Sequence, residues 1–174
     1  IDECLKIKKN TSVLLTTSDI EIIKASKQKY KKNIIYSLRN DEETSLNENV
    51  RDGIIKILKK IKFKPDILVL LSAEYPFKRY FYIEQAISKL LLHDFDKIIS
   101  TTFDTKNNYY QYSNKGIKLI SNEKDGTMKY EKKVILKEAG GIWAFNYNSY
   151  LKDKYKKISN IIVDADAGKN LFNI

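Results

Sequence analysis

The chain contains few of the residues on which many catalytic and structural sites depend. Its 174 residues include one cysteine, Cys4, one histidine, His93, and two prolines. A single cysteine excludes an intramolecular disulfide, and a lone histidine near the end of a predicted surface helix argues against a histidine base. The sequence has no P-loop, zinc-ligand spacing, catalytic triad motif or nucleophile elbow. Its chemistry must therefore rest on carboxylates, lysines, hydroxyls and aromatic rings.

Long apolar runs and recognition motifs for nucleic acid are also missing. No apolar run approaches the ~18 residues that a membrane-spanning helix needs, and there is no signal-peptide pattern. A cytoplasmic location without a membrane partner is therefore the default expectation. The formal charge is +10, but the cations are scattered lysines, with arginine only at positions 39, 51 and 79. No basic-aromatic motif stands out, so we expect no nucleic-acid partner.

Strand and helix patterns alternate along the first hundred residues. Short runs of aliphatic and β-branched residues predict buried strands at 12–18, 33–38, 66–72 and 97–103. Apolar residues recur with helical spacing between and after these runs, at 20–30, 50–61 and 80–91. This order predicts an α/β fold with a doubly wound, mostly parallel, Rossmann-like sheet.

The pattern changes after residue 104. Residues 104–140 carry turn signals and aromatic residues without helical spacing, which predicts a β-rich excursion. A strand at 140–146, a short helix and a final strand at 160–164 follow. Because no linker and no second hydrophobic core are visible, we expect residues 1–174 to form a single domain.

Three polar clusters follow predicted strands, at the edge where open α/β sheets bind ligands. The first is "SAEYPFKR", from Ser72 to Arg79, and the second surrounds Arg39. The third is "VDADAGKNL", in which Asp164 and Asp166 are two residues apart. On an extended strand end these carboxylates would point the same way and suit a Mg²⁺ that bridges substrate phosphates. Alternatively, Asp166 only caps the following helix and Asp164 is solvated.

Five segments together resemble the CMP-sugar synthetases, the cytidylyltransferases that activate acylneuraminate and related acidic sugars. "ILVLLSAEYPFKR" resembles their "LLQPTSPLR" segment, and "TTSDIEIIKAS" resembles "STDDEEIA". "SLRNDEE", "KEAGGIWAFNYNSYL" and "VDADAGKNL" resemble "RPxEL", "RPNGAIYIF" and "DIDTPEDL" respectively. The segments occur in the family's order along essentially the whole chain. The resemblance implies the nucleotide-diphosphosugar transferase fold.

The resemblance also implies an activity and a set of site residues. The reaction is attack of a sugar hydroxyl on the α-phosphate of CTP with release of pyrophosphate, in surface glycan biosynthesis. Asp164 and Asp166 would be catalytic and hold Mg²⁺, and Arg39 would lie beside the nucleotide. The residues that would contact the acidic sugar are Ser72, Tyr75, Lys78, Lys137 and Trp143. The 104–140 excursion would reach across a homodimer, as it does in the family.

Two other functions are open. "AEYPF" also resembles the "AARPF" segment of methylerythritol phosphate cytidylyltransferases, which share the fold. A non-catalytic domain that binds a sugar nucleotide or a partner protein is the second alternative, because the motifs depart from the family's pattern. The family's "QPT" is "SAE" here, and its final "PED" is Gly168, Lys169 and Asn170. Core packing is the other interpretation of Tyr75 and Trp143.

The family's first strand and its glycine-rich phosphate loop have no counterpart in the sequence. "DECLKIKK" resembles the helix that follows that loop. Glycine-rich loops bind triphosphates because their backbone amides approach the phosphates closely. We therefore expect a strand and a phosphate loop to precede Ile1 in the complete domain.

Overall fold

The computed structural model describes residues 1–7, 10–30, 34–39, 50–104, 110–113, 116–119 and 135–171. The helices are α1 (Asp2–Leu5), α2 (Ile20–Tyr30), α3 (Val50–Lys60), α4 (Tyr80–His93) and α5 (Tyr147–Lys152). The strands are β1 (Val13–Thr17), β2 (Ile34–Leu38), β3 (Ile67–Leu71), β4 (Lys97–Asp104), β5 (Tyr110–Ser113), β6 (Gly116–Leu119), β7 (Ile135–Asn146) and β8 (Ile158–Ile162). None of these helices combines the length and the apolar character that crossing a membrane requires.

Side chains cap the starts of α2 and α5, and a left-handed residue ends α4. Asp19 Oδ1 accepts a hydrogen bond from the Glu21 amide at 2.7 Å at the start of α2. Asn146 Oδ1 accepts one from the Asn148 amide at 3.0 Å at the start of α5. Asp94 adopts a left-handed conformation with φ 50° and ends α4. These local signals are why the helix positions could be predicted from the sequence.

The strands form three sheets that contain both parallel and antiparallel pairs. β1 and β2 form a parallel pair, and β5 and β6 form an antiparallel hairpin. The main sheet has the order β3-β7-β4-β8. In it β4 and β8 are parallel, and β7 lies antiparallel between β3 and β4. The ends of β3, β4 and β8 therefore meet at one edge, as the predicted α/β architecture requires.

Helices cover both faces of the main sheet. Ile142 and Ala144 of β7 are almost fully buried in a cluster that includes Ile83 of α4. Side chains alternate along a strand, so Phe145 points to the other face. Its ring centroid lies 4.9 Å from that of Tyr150 in α5. The sheet is thus covered by helices on both sides, in agreement with the doubly wound prediction.

Two strand boundaries and the burial of one residue differ from the predictions. β7 begins at Ile135 rather than 140, because its first residues pair with the end of β4. β8 ends at Ile162 rather than 164, and residues 165–168 form a turn. Leu91, predicted to be buried, is 59% exposed on α4. The second difference matters most, because Asp164 and Asp166 follow the strand instead of ending it.

Within the described residues, β1 pairs only with β2, and β3 pairs only with β7. Their aliphatic side chains are only half buried. Aliphatic runs of this kind are typical of strands that lie inside a sheet.

Asp96 holds together the loops at the opposite edge of the sheet. Its carboxylate accepts hydrogen bonds from Ser149 Oγ at 2.5 Å and from the amides of Lys156 and Lys157 at 2.8 and 2.9 Å. These partners, Ser149 first, keep the pKa of Asp96 below its ordinary value. The ionised carboxylate therefore stabilises the fold.

We expect Asp96→Ala to lower the free energy of unfolding by about 2 kcal/mol at pH 7, because several hydrogen bonds to a charged acceptor are lost. A depressed folded-state pKa contributes stability above the ordinary carboxyl pKa, and this contribution is lost as pH falls through the folded value. Urea unfolding of parent and variant at pH 7 and pH 3 checks this. Asp52, exposed on α3, provides Asp52→Ala as a control. A pH-independent difference would contradict the role of the charge.

Candidate functional site

A small open pocket of about 200 Å³ lies at the edge of the sheet where β3, β4 and β8 end. Its walls come from four segments of the chain that meet at this edge. The lining residues are Tyr75, Thr102, Lys137, Glu138, Ala139, Gly168, Lys169 and Asn170. Cations, a carboxylate, a hydroxyl, an amide and an aromatic ring thus face one cavity, as expected of a site for a polar ligand.

Two strands, β4 and β7, form one wall of the pocket, and β7 is irregular there. Thr102 pairs with Lys137, but Ala139 to Ile142 all lie opposite Ser100 alone. Ser100 Oγ fills the gap, because it accepts a hydrogen bond from the Ile142 amide at 2.9 Å. Bulges of this kind redirect side chains near functional sites. This one accommodates the tight backbone of "AGG" and places the β3 loop against it.

Gly141 fixes the position of Tyr75. Its φ is +56°, and its carbonyl accepts a hydrogen bond from the Ser72 amide at 2.9 Å. A Cβ on Gly141 would lie 2.6 Å from Tyr75 Cδ2 and 3.0 Å from Ser72 Cβ. The absence of a side chain therefore lets the Tyr75 ring lie against the β7 backbone, at the wall of the pocket.

Lys78 ties the loop after β3 to itself. Its ammonium donates hydrogen bonds to the carbonyl oxygens of Ser72 and Tyr75. Burial lowers the pKa of Lys78 to about 8. Lys78 is not among the lining residues, so in this structure it shapes the wall rather than facing the cavity.

The turn after β8 forms the opposite wall. Asp164 Oδ1 accepts a hydrogen bond from the Ala167 amide at 2.7 Å, and the Asp164 amide donates to Tyr82 Oη at 3.1 Å. The Ala167 amide, followed by Tyr82, holds the pKa of Asp164 below its ordinary value. Asp164, rather than Asp166, is thus the residue that caps the turn. Both carboxylates are exposed beside the pocket.

Asp166 pairs with a residue that the sequence analysis did not single out. Lys169 Nζ donates to Asp166 Oδ1 at 2.8 Å, and this contact raises the pKa of Lys169. Asn170 Nδ2 donates to Glu74 Oε2 at 3.3 Å, which joins the turn to the β3 loop. Thr102, Glu138, Lys169 and Asn170 all line the pocket without having been predicted. Closeness in sequence to Lys137 or to the D-x-D pair could have indicated Glu138, Lys169 and Asn170, whereas Thr102 is brought to the pocket by strand pairing.

Trp143 and Arg39 lie away from the pocket lining. Trp143 reaches it through Glu138, whose Oε1 accepts from the indole Nε1 at 2.5 Å. Arg39 follows β2, in the other sheet, where its Nε is buried without a hydrogen-bond partner among the described residues. The rest of its predicted cluster, residues 40–49, lies outside the described residues. The roles predicted for Arg39 and Trp143 therefore stay predictions.

Asp164 and Asp166 are the residues that would hold a magnesium ion, together with substrate phosphates and water. Asp164 and Asp166 each use one carboxylate oxygen in the hydrogen bonds above. The described part of the chain holds no group of three or more His, Cys, Asp or Glu that could bind a metal. Mg²⁺ is commonly held by one or two carboxylates together with substrate phosphates rather than by a protein cage. Asp164 and Asp166 would supply two such carboxylates.

Comparisons with known proteins support the fold. No protein-family model and no curated protein matches the chain. Among solved structures, it is similar to a 4-diphosphocytidyl-2C-methyl-D-erythritol synthase from Anaerococcus prevotii, with a TM-score of 0.65 and 16% identity over 98% of this chain and 77% of that one. It is also similar to a CMP:2-keto-3-deoxy-manno-octonic acid synthetase solved with CTP, with a TM-score of 0.63 and 16% identity over 94% and 77% of the two chains. The chain has the fold of these nucleotidyltransferases.

Proposed function

With the fold of these nucleotidyltransferases as the premise, we propose that the protein is a cytidylyltransferase that transfers CMP from CTP to an acidic sugar. The observation that carries the proposal is the pocket at the strand ends, which Lys137 and Tyr75 line together with Gly168 of the turn that Asp164 caps. The motif resemblance and the similarity to two synthetases with cytidine products point to the same reaction.

The reaction needs alignment and charge neutralisation rather than a covalent nucleophile. An oxygen of the acceptor forms a bond to the α-phosphorus of CTP, the bond from that phosphorus to the leaving oxygen breaks, and pyrophosphate departs. The acceptor hydroxyl loses its proton to solvent or to a leaving phosphate oxygen. This chemistry agrees with a sequence that has one histidine and one cysteine.

Different residues would bind the nucleotide and the acceptor sugar. Asp164 and Asp166 would hold Mg²⁺, which when bound neutralises charge on the triphosphate. Lys137 would attract the sugar carboxylate, and the Tyr75 ring would offer an apolar surface to the sugar ring. Ser72 and Lys78 would support this wall, since Lys78 donates to carbonyls of the β3 loop. Arg39 would contact the nucleotide.

One comparison favours a second candidate. The similarity to 4-diphosphocytidyl-2C-methyl-D-erythritol synthase covers 98% of the chain. An acceptor phosphate would suit the same lysines as a carboxylate, since both anions accept charge-assisted hydrogen bonds. Methylerythritol phosphate is therefore the acceptor that must be compared directly with acidic sugars.

An acceptor screen tests the proposal. We expect pyrophosphate release from CTP and Mg²⁺ with N-acetylneuraminate or 2-keto-3-deoxy-manno-octonic acid. Neutral analogues should react at least about 10-fold more slowly at low concentration, because Lys137 would lose a charge-assisted hydrogen bond. Methylerythritol phosphate as the best acceptor would establish the second candidate instead. No release with any acceptor in the full-length protein would favour a non-catalytic binding domain.

We also propose a homodimer. Phe103 of β4 and Leu136 of β7 pair across the two strands, yet they are 57% and 45% exposed. Tyr112 in the β5–β6 hairpin is 84% exposed. Phe103 and Leu136 give the base of the predicted dimer excursion exposed apolar surface, and Tyr112 does so for its hairpin. Analytical ultracentrifugation that finds only monomer at micromolar concentration would refute the proposal.

A further inference from the structure

The backbone of Lys169 lies in a hydrogen-bonded turn, and its side chain is 59% exposed. Its amide donates to the Asp166 carbonyl at 3.1 Å, and two residues later the Leu171 amide donates to the Glu74 carbonyl at 2.9 Å. The turn is therefore anchored on both sides by main-chain bonds. None of these bonds involves the lysine ammonium, so the side chain can move without moving the turn.

The ammonium of Lys169 has a partner that is easily exchanged. It lies 2.8 Å from Asp166 Oδ1, and the two side chains are 59% and 67% exposed. Exposed pairs contribute little to stability, because water solvates both groups and holding two flexible side chains together costs entropy. Moving the ammonium from Asp166 to another anion therefore costs little free energy.

The lining of the pocket beside Lys169 carries two cations and one carboxylate. Lys137 and Lys169 both line it, and Glu138 is the one acidic residue among the lining residues. The Glu138 carboxylate already accepts a hydrogen bond from Trp143 Nε1. An anionic group of a ligand is the partner that would complete this arrangement.

We propose that Lys169 is a specificity-determining residue whose ammonium leaves Asp166 and binds the anionic group of the acceptor. The inference rests on the proposed function and names the group that the acceptor must carry, a carboxylate or a phosphate. It has two consequences. Lys169 selects charged over neutral acceptors together with Lys137, and in the absence of acceptor it competes with a divalent cation for Asp166.

Isothermal titration of the variant Lys169→Met tests both consequences. The first probe is N-acetylneuraminate or 2-keto-3-deoxy-manno-octonic acid, each compared with its methyl ester, in the presence of Mg²⁺ and the unreactive cytidine 5′-diphosphate. We expect the variant to bind the free acids about 5- to 30-fold more weakly, because a charge-assisted hydrogen bond is lost, and to bind the esters as the parent does. The second probe is Mn²⁺ alone, which should bind the variant a few-fold more tightly.

Controls separate this inference from the proposed function. Lys157 forms a similar exposed pair with Asp94, at 3.2 Å, at the opposite edge of the sheet, so Lys157→Met should change neither titration. Equal binding of the acids by parent and Lys169→Met, or equal weakening for acids and esters, would overturn the role of Lys169. Failure of the parent to bind cytidine nucleotide would refute the proposed function itself, and with it this inference.

Discussion

Replacing Asp166 by asparagine is expected to lower kcat for CMP transfer by about 10²–10³ or more, because a carboxylate ligand of the magnesium ion would be lost. The amide has nearly the same shape but carries no charge. Asp166 is exposed, and the turn that contains it is capped by Asp164. We therefore expect the variant to fold like the parent.

A steady-state assay of pyrophosphate release at saturating Mg²⁺ measures this effect, and thermal unfolding checks the fold. Asp94→Asn is the matched control, since Asp94 is also exposed and paired with a lysine but lies at the other edge of the sheet. If Asp166→Asn retains turnover within a few-fold of the parent, Asp166 is not a metal ligand.

A methyl group at Gly141 is expected to disrupt the pocket and destabilise the protein by about 2–4 kcal/mol. An alanine at φ +56° is strained, and its Cβ would lie 2.6 Å from the Tyr75 ring. Tyr75 or the β7 backbone must move to relieve the contact. Acceptor binding should then weaken together with stability, because Tyr75 lines the pocket.

Gly53 is the matched control for Gly141, because a side chain at position 53 has open space around it. A Cβ there would meet nothing within 4 Å, and the residue lies inside α3. Gly53→Ala should therefore raise the free energy of unfolding by roughly 0.5–1 kcal/mol and leave acceptor binding unchanged. Urea unfolding and sugar titration of both variants check the pair. Equal stability of Gly141→Ala and the parent would mean that the close contact with Tyr75 is wrong.

The sequence predicted what depends on local pattern. Alternating strand and helix periods identified β1 to β4 and α2 to α4. The first residues of β7 were missed because "ILKE" has two charged residues. They form a strand only because they pair with the end of β4. A strand that depends on pairing with a distant segment is difficult to predict from the local sequence pattern.

The same limit applies to the site. The sequence indicated Asp164, Asp166, Tyr75 and Lys137 through their motifs. Tyr75 and Lys137 line the pocket, and Asp164 caps the turn beside it, but the roles predicted for all four residues stay predictions. The i, i+2 geometry assumed for the aspartates was wrong, because β8 ends at Ile162 and Asp164 caps a turn. Lys169 gave no signal, since its importance comes from the cavity that the turn helps to enclose.

Binding of the four nucleoside triphosphates tests the central claim most directly. Isothermal titration of full-length protein with CTP, UTP, ATP and GTP in Mg²⁺ should show CTP binding at least about 10-fold more tightly than each of the others, a difference of about 1.4 kcal/mol. Asp166→Asn should weaken CTP binding in Mg²⁺ but not in EDTA. Equal affinity for all four nucleotides, or no binding of CTP, would contradict the assignment of the protein as a cytidylyltransferase.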